Sequence, residues 1–174
     1  VLLIMDDKQG KMKIPVAVVG RGGTITAALL RKLLPGPVVE LTPCQAAWNE
    51  GQRYRAVIVE NFDHAGGRTL SGCAAARSGV TVVGLDDPEG RRLAGALAGS
   101  VYAYSDGKTQ ADLTAKNVRL RGERLEFEAL ARGELTRVRV NTGESPRLYD
   151  HLAALAGALA LGVPLSEAAA RLSS

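Results

Sequence analysis

The feature that most constrains this chain is the alternation of apolar runs and helix-like segments between residues 14 and 105. The apolar runs read IPVAVV (14–19), VVEL (38–41), YRAVIVENF (54–62), VTVVGL (80–85) and SVYAYS (100–105). The first of them, IPVAVV, is a continuous apolar run of the kind that is expected for a strand covered on both faces. Segments with helical spacing, such as TITAALLRKLL (24–34), lie between them with short connections. We therefore expect right-handed crossovers and a parallel sheet.

The pattern changes after residue 109. Residues 111–140 alternate apolar and polar side chains, with turns at the two RGE triplets, which predicts an antiparallel meander from Ala111 to Val140. Two helices follow, one rich in Ala and Leu (145–162) and one with Pro164 near its start. We expect a single three-layer α/β domain over residues 1–174, in which residues 1–12 form a disordered or loosely packed N-terminal segment.

Composition sets broad limits on function. The net charge of +4 and the pI near 9.3 indicate either an anionic partner or the arginine usage of a GC-rich genome, and we favour the second. No aromatic-rich RNA motif accompanies the arginines, so a nucleic-acid partner is not expected. Cys44 and Cys73 match no metal spacing and suit a reducing compartment. With no signal peptide and no membrane span expected, we predict a cytoplasmic protein.

The stretch VVGRGGTIT (18–26) runs from a buried strand through glycines into a helix, which is where phosphate-binding loops lie. We call residues 20–26 the Gly loop. A loop of that kind needs Lys after the last Gly and Ser or Thr after the Lys, but Thr24 and Ile25 stand there. Main-chain N–H groups at Gly20, Gly22 and Gly23 remain available to an anion, and Arg21, Thr24 and Thr26 offer further contacts. The alternative is a tight turn that binds nothing.

The order of several further motifs resembles the central ATPase domain of the Mur ligases, which add amino acids to the peptidoglycan precursor. HLAALAGALALGVPLSEAAARL and the meander ADLTAKNVRL resemble the end of that domain. GLDDPEGRRLA is similar to the family's Asn-x-Asp-Asp-Pro segment, YRAVIVENFDHAGG to its strand and Asp-His loop, and VVELTPCQ to its Glu-Leu-Ser-Ser-Phe-Gln stretch. The Gly loop lines up with the family's phosphate loop, Gly-Thr-Asn-Gly-Lys-Thr-Thr.

The resemblance also implies which site residues are kept and which are replaced. Glu40 matches the family's magnesium-binding Glu, and His64 matches its metal-binding His, although NFDH is shorter than the usual spacing. Thr24 and Ile25 replace the Lys and the metal-binding hydroxyl. Arg77 lies near the position of the family's carbamylated Lys, and Gly84 replaces the Asn that precedes Asp86. Pro146 and Arg147 replace the family's His-Asn pair. The flanking substrate domains of the family are not expected in this chain.

Three functions remain open. The favoured one is a catalytically degenerate Mur-ligase-like pseudoenzyme that binds a nucleotide, phosphate or a protein partner in cell-wall or polymer synthesis. The second is an ATP-dependent amide-forming ligase, or its ATP-binding subunit, completed by another chain, in which Arg21 substitutes for the Lys. The third is a module that forms homo-oligomers such as a homodimer. Any binding of ATP or ADP is expected to be weak and nearly independent of magnesium.

Some polar and aromatic residues have simpler interpretations. Asp86 and Asp87 precede Pro88 and suit a helix N-cap. His151 is expected to be packed or at the surface rather than a ligand, and Trp48 and Tyr54 are expected in the core or an interface.

Overall fold

A computed structural model of the protein describes residues 14–20, 23–42, 45, 51–60, 78–144 and 146–174. Eight strands form one sheet in the order β2-β1-β3-β4-β5-β6-β7-β8. They are β1 (Val16–Val19), β2 (Val38–Leu41), β3 (Tyr54–Val59), β4 (Ser78–Gly84), β5 (Val101–Asp106), β6 (Leu113–Arg121), β7 (Arg124–Ala131) and β8 (Glu134–Asn141). The described helices are α1 (Gly23–Leu33), α2 (Pro88–Ala96), α3 (Leu148–Ala160) and α4 (Leu165–Ser173).

The sheet is mostly parallel, as the sequence predicts. Strands β1 to β6 run parallel to their neighbours, and the β6–β7 and β7–β8 pairs are antiparallel. The two hairpin turns fall at the RGE triplets, where Gly122, Arg132 and Gly133 have positive φ. The α/β class, the parallel part and the meander are therefore confirmed.

Successive residues of the inner strands serve opposite faces of the sheet. Val16 and Val18 belong to a core that includes α1, α3 and α4, whereas Ala17 and Val19 belong to a second core that includes Leu93 of α2. Helices thus cover both faces, and this is why β1 is apolar at every position and β3 and β4 are mostly apolar. Helix α3 is buried along most of its length, from Asp150 to Ala158, because it lies between the sheet and its neighbouring helices.

Several local predictions can be compared with the structure. Asp87 is the N-cap of α2 and accepts a hydrogen bond from the Glu89 N–H over 2.8 Å. Thr42 and Gln45 exchange the reciprocal backbone and side-chain bonds of a capping box. Tyr54 is buried, as expected. Trp48, both cysteines and residues 1–12 lie outside the described residues.

Among the parts of the chain that the structure describes, no helix is both long enough and apolar enough to cross a membrane.

Candidate functional site

The strand order has a topological switch point between β1 and β3. The chain leaves β1 toward β2 on one side and continues with β3 on the other. In open α/β sheets, ligands bind beyond the carboxyl ends of the strands at such a switch point. Here, the Gly loop follows β1 and Glu60 follows β3. The topology therefore brings the Gly loop and Glu60 to the position where a ligand is expected.

Gly20 and Glu60 approach each other closely at this switch point. Gly20 has φ +136°, and a Cβ on it would lie 1.9 Å from the carbonyl oxygen of Glu60. Helix α1 begins at Gly23, where a Cβ would lie 2.8 Å from Cγ1 of Val18. Both glycines are therefore required by the packing of β1, β3 and α1. Their presence alone does not demonstrate a ligand.

The first turn of α1 carries the three side chains of interest in different environments. Thr24 and Ile25 are exposed, and Ile25 exposes 49% of its surface. Thr26 is fully buried, and its hydroxyl donates a hydrogen bond to Oε1 of Glu60 over 2.7 Å. In P-loop NTPases a hydroxyl and a carboxylate hold magnesium. In this chain the hydroxyl of Thr26 bonds to the carboxylate of Glu60 directly, and the buried pair connects α1 to the end of β3.

Of the two predicted metal residues, Glu40 lies among the described residues and His64 lies outside them, so the pair stays a prediction. Glu40 lies on β2, which is separated from β3 by β1. Its carboxylate is 3.8 Å from Nη2 of Arg31, at the far end of α1 from the Gly loop. No group of three or more potential metal-ligating side chains occurs among the described residues. His64, Arg77, Arg21 and Gly22 lie outside them.

A cavity of about 400 Å³ lies beyond the ends of β3, β4 and β5, next to this switch point. We call it the acidic cavity because four carboxylates of the described part of the chain line it, those of Glu60, Asp86, Asp87 and Asp150. Arg147, at the start of α3, is the basic side chain in its wall. The sequence motifs Asp-Asp-Pro and Pro-Arg thus meet at one place, although they are 60 residues apart in the chain.

Glu60 is the most perturbed acid of the site. The side chain is 5% exposed, and burial raises its pKa to about 7. The bond from Thr26 and the charge of Arg147 oppose this rise, whereas the charge of Asp150 adds to it. The second oxygen, Oε2, has no hydrogen-bond partner among the described residues. Glu60 therefore changes its protonation state near neutral pH.

Asp86 is in the opposite situation. Burial acts to raise its pKa, but the hydrogen bonds that its carboxylate accepts and the nearby charge of Lys108 lower the pKa overall. The donors are the Ser105 hydroxyl at 2.6 Å, the Asp106 N–H at 2.8 Å and the Tyr149 hydroxyl at 3.0 Å. Asp86 therefore stays ionised and fixes α3 to the end of β5. This role differs from the helix cap that the sequence predicts for both aspartates.

The first turn of α3 contributes a second buried carboxylate. Asp150 is 1% exposed, and its Oδ2 lies 3.3 Å from Nε of Arg147 but is not aligned with any donor for a hydrogen bond within the described residues. Burial raises the Asp150 pKa against the charges of Arg147 and His151. Burial also lowers the pKa of His151, whose Nδ1 is 2.8 Å from the Arg147 carbonyl. His151 is therefore a packed neutral imidazole.

Sequence reasoning missed Glu60, Tyr104, Tyr149 and Asp150. A signal for Glu60 was present, since an acid that directly follows the apolar run VIV lies at the end of a buried strand. The position of Asp150 could not be predicted in this way, because a helix that is buried on several sides shows no simple polar face.

Comparison with known proteins identifies the fold. No protein-family model matches the chain, and no curated protein matches its sequence. Among solved structures, MurF from Acinetobacter baumannii is 18% identical with a TM-score of 0.74, and the match covers 93% of this chain and 46% of that one. A pseudomurein peptide ligase type C from Methanothermus fervidus is 12% identical with a TM-score of 0.74, with 92% and 49% covered.

A third neighbour is a MurF ligase from Thermotoga maritima in complex with ADP. It is 16% identical with a TM-score of 0.67, and the match covers 92% of this chain and 48% of that one. The chain thus spans about half the length of these neighbours. At these identities the likeness concerns the fold, and the described chain has a Mur-ligase-like α/β fold.

Proposed function

We propose that this chain is a catalytically degenerate Mur-ligase-like binding module of cell-wall or related polymer synthesis. It holds phosphate or a nucleotide weakly at the Gly loop and does not transfer a phosphoryl group. The observation that carries the proposal is the first turn of α1. Its exposed positions hold Thr24 and Ile25, where the resembling loop has Lys and a metal-binding hydroxyl. The context is supported by the neighbour from Methanothermus fervidus, whose name describes a pseudomurein peptide ligase.

The anion-binding part of the proposal rests on the main chain. Helix α1 is 11 residues long, begins at Gly23 and has no acidic residue in its first turn. Its free N–H groups and partial positive charge attract an anion without a lysine. The helix start also lies at the switch point of the sheet, where α/β proteins bind ligands. Phosphate or the phosphates of a nucleotide are therefore the ligands that fit best.

The degenerate part of the proposal rests on the side chains. Phosphoryl transfer by loops of this type requires a lysine on the terminal phosphates and a hydroxyl on the metal. Thr24 carries no charge, Ile25 has no oxygen, and the Thr26 hydroxyl is buried against Glu60. Glu40 lies beside Arg31. These residues do not fit a magnesium–ATP complex that is poised for transfer, because charge and metal ligands are missing at the required positions.

Calorimetric titration with phosphate, ADP and ATP, each with and without magnesium, tests the proposal. We expect weak binding of all three that changes little when magnesium is added, and no release of ADP above a buffer blank. Tight binding of ATP that strictly requires magnesium would contradict the proposal. ADP release that Glu40→Ala abolishes would instead favour the alternative of a ligase or ligase subunit, in which Arg21 supplies the missing charge.

A further inference from the structure

We propose that the acidic cavity binds the primary ammonium group of a small organic cation. This ligand is opposite in charge to the anion proposed for the neighbouring Gly loop, so the inference goes beyond the proposed function. The cavity volume of about 400 Å³ lies in the range of small-molecule sites. Among the described residues, four carboxylates and one guanidinium line it, so carboxylates outnumber basic groups in that part of the lining.

Two of the four carboxylates are already occupied by the protein. Asp86 accepts three hydrogen bonds and lies 3.6 Å from Nζ of Lys108. Asp87 accepts the N–H of Glu89 as the cap of α2. These two acids are accounted for by the fold, and they do not by themselves indicate a ligand.

The other two carboxylates are not fully satisfied. Glu60 and Asp150 are more than nine-tenths buried. Oε2 of Glu60 has no hydrogen-bond partner among the described residues, and Oδ2 of Asp150 has none either, although it forms an ion pair with Arg147, whose Nε is 3.3 Å away. A buried acceptor without a donor is costly, and more so when it is charged. Both residues line the acidic cavity. A ligand that brings hydrogen-bond donors would supply the donor that Glu60 lacks, and its positive charge would add to that of Arg147 beside Asp150.

The remaining wall of the cavity favours an ammonium over a metal ion. The rings of Tyr104 and Tyr149 belong to the lining, and aromatic faces attract organic cations. A hard divalent metal needs several oxygen ligands in a fixed arrangement, and no three carboxylates of the described residues are placed so that they could hold one metal ion. A primary ammonium offers three N–H donors, which suits two separate carboxylates better than a quaternary ammonium without donors.

The chemistry can be tested with three simple probes on the whole chain. Butylammonium has the charge and the donors, butan-1-ol has a similar shape without charge, and tetramethylammonium has the charge without N–H donors. Titration followed by NMR or calorimetry at about pH 8 keeps the amine protonated and Glu60, with its pKa of about 7, mainly ionised. We expect butylammonium to bind at least about tenfold more tightly than either other probe, since hydrogen bonds to charged groups support that factor.

Variants locate the site. Glu60→Gln and Asp150→Asn keep side-chain shape and remove one charge each, so either should weaken butylammonium binding about tenfold. Glu134→Gln removes an exposed carboxylate from the β7–β8 turn, at the opposite edge of the sheet, and should leave the affinity unchanged. Amide spectra of each variant show whether it is folded. If Asp150→Asn does not fold, Glu60→Gln alone provides the test of the site.

Three outcomes would overturn the proposal: no binding of butylammonium, equal binding of butan-1-ol, or equal affinity in Glu60→Gln and Glu134→Gln. Magnesium chloride that displaces butylammonium at low concentration would show a metal site instead. Phosphate binding at the Gly loop is measured separately in the same variants. Failure of the ammonium site is therefore distinguishable from failure of the proposed function.

Discussion

The hydroxyl of Thr26 donates a hydrogen bond to Oε1 of Glu60 over 2.7 Å, and both side chains are buried. This bond joins the first turn of α1 to the residue that follows β3, across the switch point of the sheet. It places Glu60 where its backbone contacts Gly20 and where its side chain lines the acidic cavity. The pair therefore holds Glu60 in the position where it contacts both Gly20 and the acidic cavity.

Replacement of Thr26 by Val tests this connection. Val keeps the shape of the side chain but removes the donor, so Glu60 loses the hydrogen bond that opposes its desolvation. We expect the free energy of unfolding to fall by about 1–3 kcal/mol, the usual cost of leaving a buried polar group unsatisfied. Urea unfolding near neutral pH measures the change. Thr24→Val, at an exposed position of the same turn, should change stability by less than about 0.5 kcal/mol. Equal losses in the two variants would contradict the interpretation.

The pKa of Glu60 predicts how stability depends on pH. An acid whose pKa rises from 4.5 in the unfolded chain to about 7 in the folded one retains its proton in the folded state over that window. The folded state then binds more protons than the unfolded state, so the free energy of unfolding falls as pH rises from 4.5 to about 7. The shift corresponds to about 3 kcal/mol at most, and the contribution is constant above this window.

Comparison of wild type with Glu60→Gln isolates this contribution. The amide does not titrate, so the stability of Glu60→Gln relative to wild type should increase between about pH 5 and about pH 8 by up to about 3 kcal/mol. The charged and titratable groups that face Glu60 are the same in both proteins, namely Asp150, Arg147, Tyr104 and, beside Asp150, His151. Their effects largely cancel in the subtraction. A difference that does not vary with pH would show that Glu60 has an ordinary pKa.

Replacement of glycine by alanine is expected to have opposite effects on stability at Gly20 and at Gly95. A Cβ at Gly20 would overlap the Glu60 carbonyl, and its φ of +136° is unfavourable for alanine. Gly20→Ala should therefore lower stability by roughly 3 kcal/mol or more. Gly95 lies in α2, and a Cβ there meets no atom within 4 Å, so Gly95→Ala should raise stability by about 0.5–1 kcal/mol. Thermal unfolding of both variants is the measurement, and a stable Gly20→Ala would disprove the close contact.

Sequence reasoning predicted the sheet better than the site for a physical reason. Strand β1 is buried on both faces, so every residue carries the apolar signal, and β3 carries it from Ala56 to Val59. The period-two pattern of β7 is equally direct. The site depends on long-range contacts between residues such as Asp86 and Tyr149, which lie on different elements. No local pattern encodes that contact. The hydrogen bond of Thr26 could not be predicted from the sequence either, because its partner Glu60 lies 34 residues further along the chain.

The last prediction concerns whether the Gly loop has the backbone shape of a phosphate loop although Thr24 and Ile25 stand at the positions of the Lys and the metal-binding hydroxyl. Thr24 and Ile25 are exposed at the start of α1, so both can be replaced without disturbing the core. The double variant Thr24→Lys with Ile25→Thr would supply the charge and the hydroxyl that phosphate loops use. If the backbone retains the binding geometry, ADP affinity should rise at least about tenfold, because charge-assisted bonds to phosphate are strong. Binding should also become sensitive to magnesium.

Calorimetric titration of ADP with and without magnesium checks this expectation. Ser174→Lys, at the chain end beyond α4, adds a positive charge far from the loop and controls for the change in net charge. Ile25→Thr alone adds the hydroxyl without the charge and should raise the affinity less than the double variant. If the double variant binds ADP no better than Ser174→Lys, the loop does not converge on an anion, and its glycines serve only the close packing of Gly20 on Glu60 and of Gly23 on Val18.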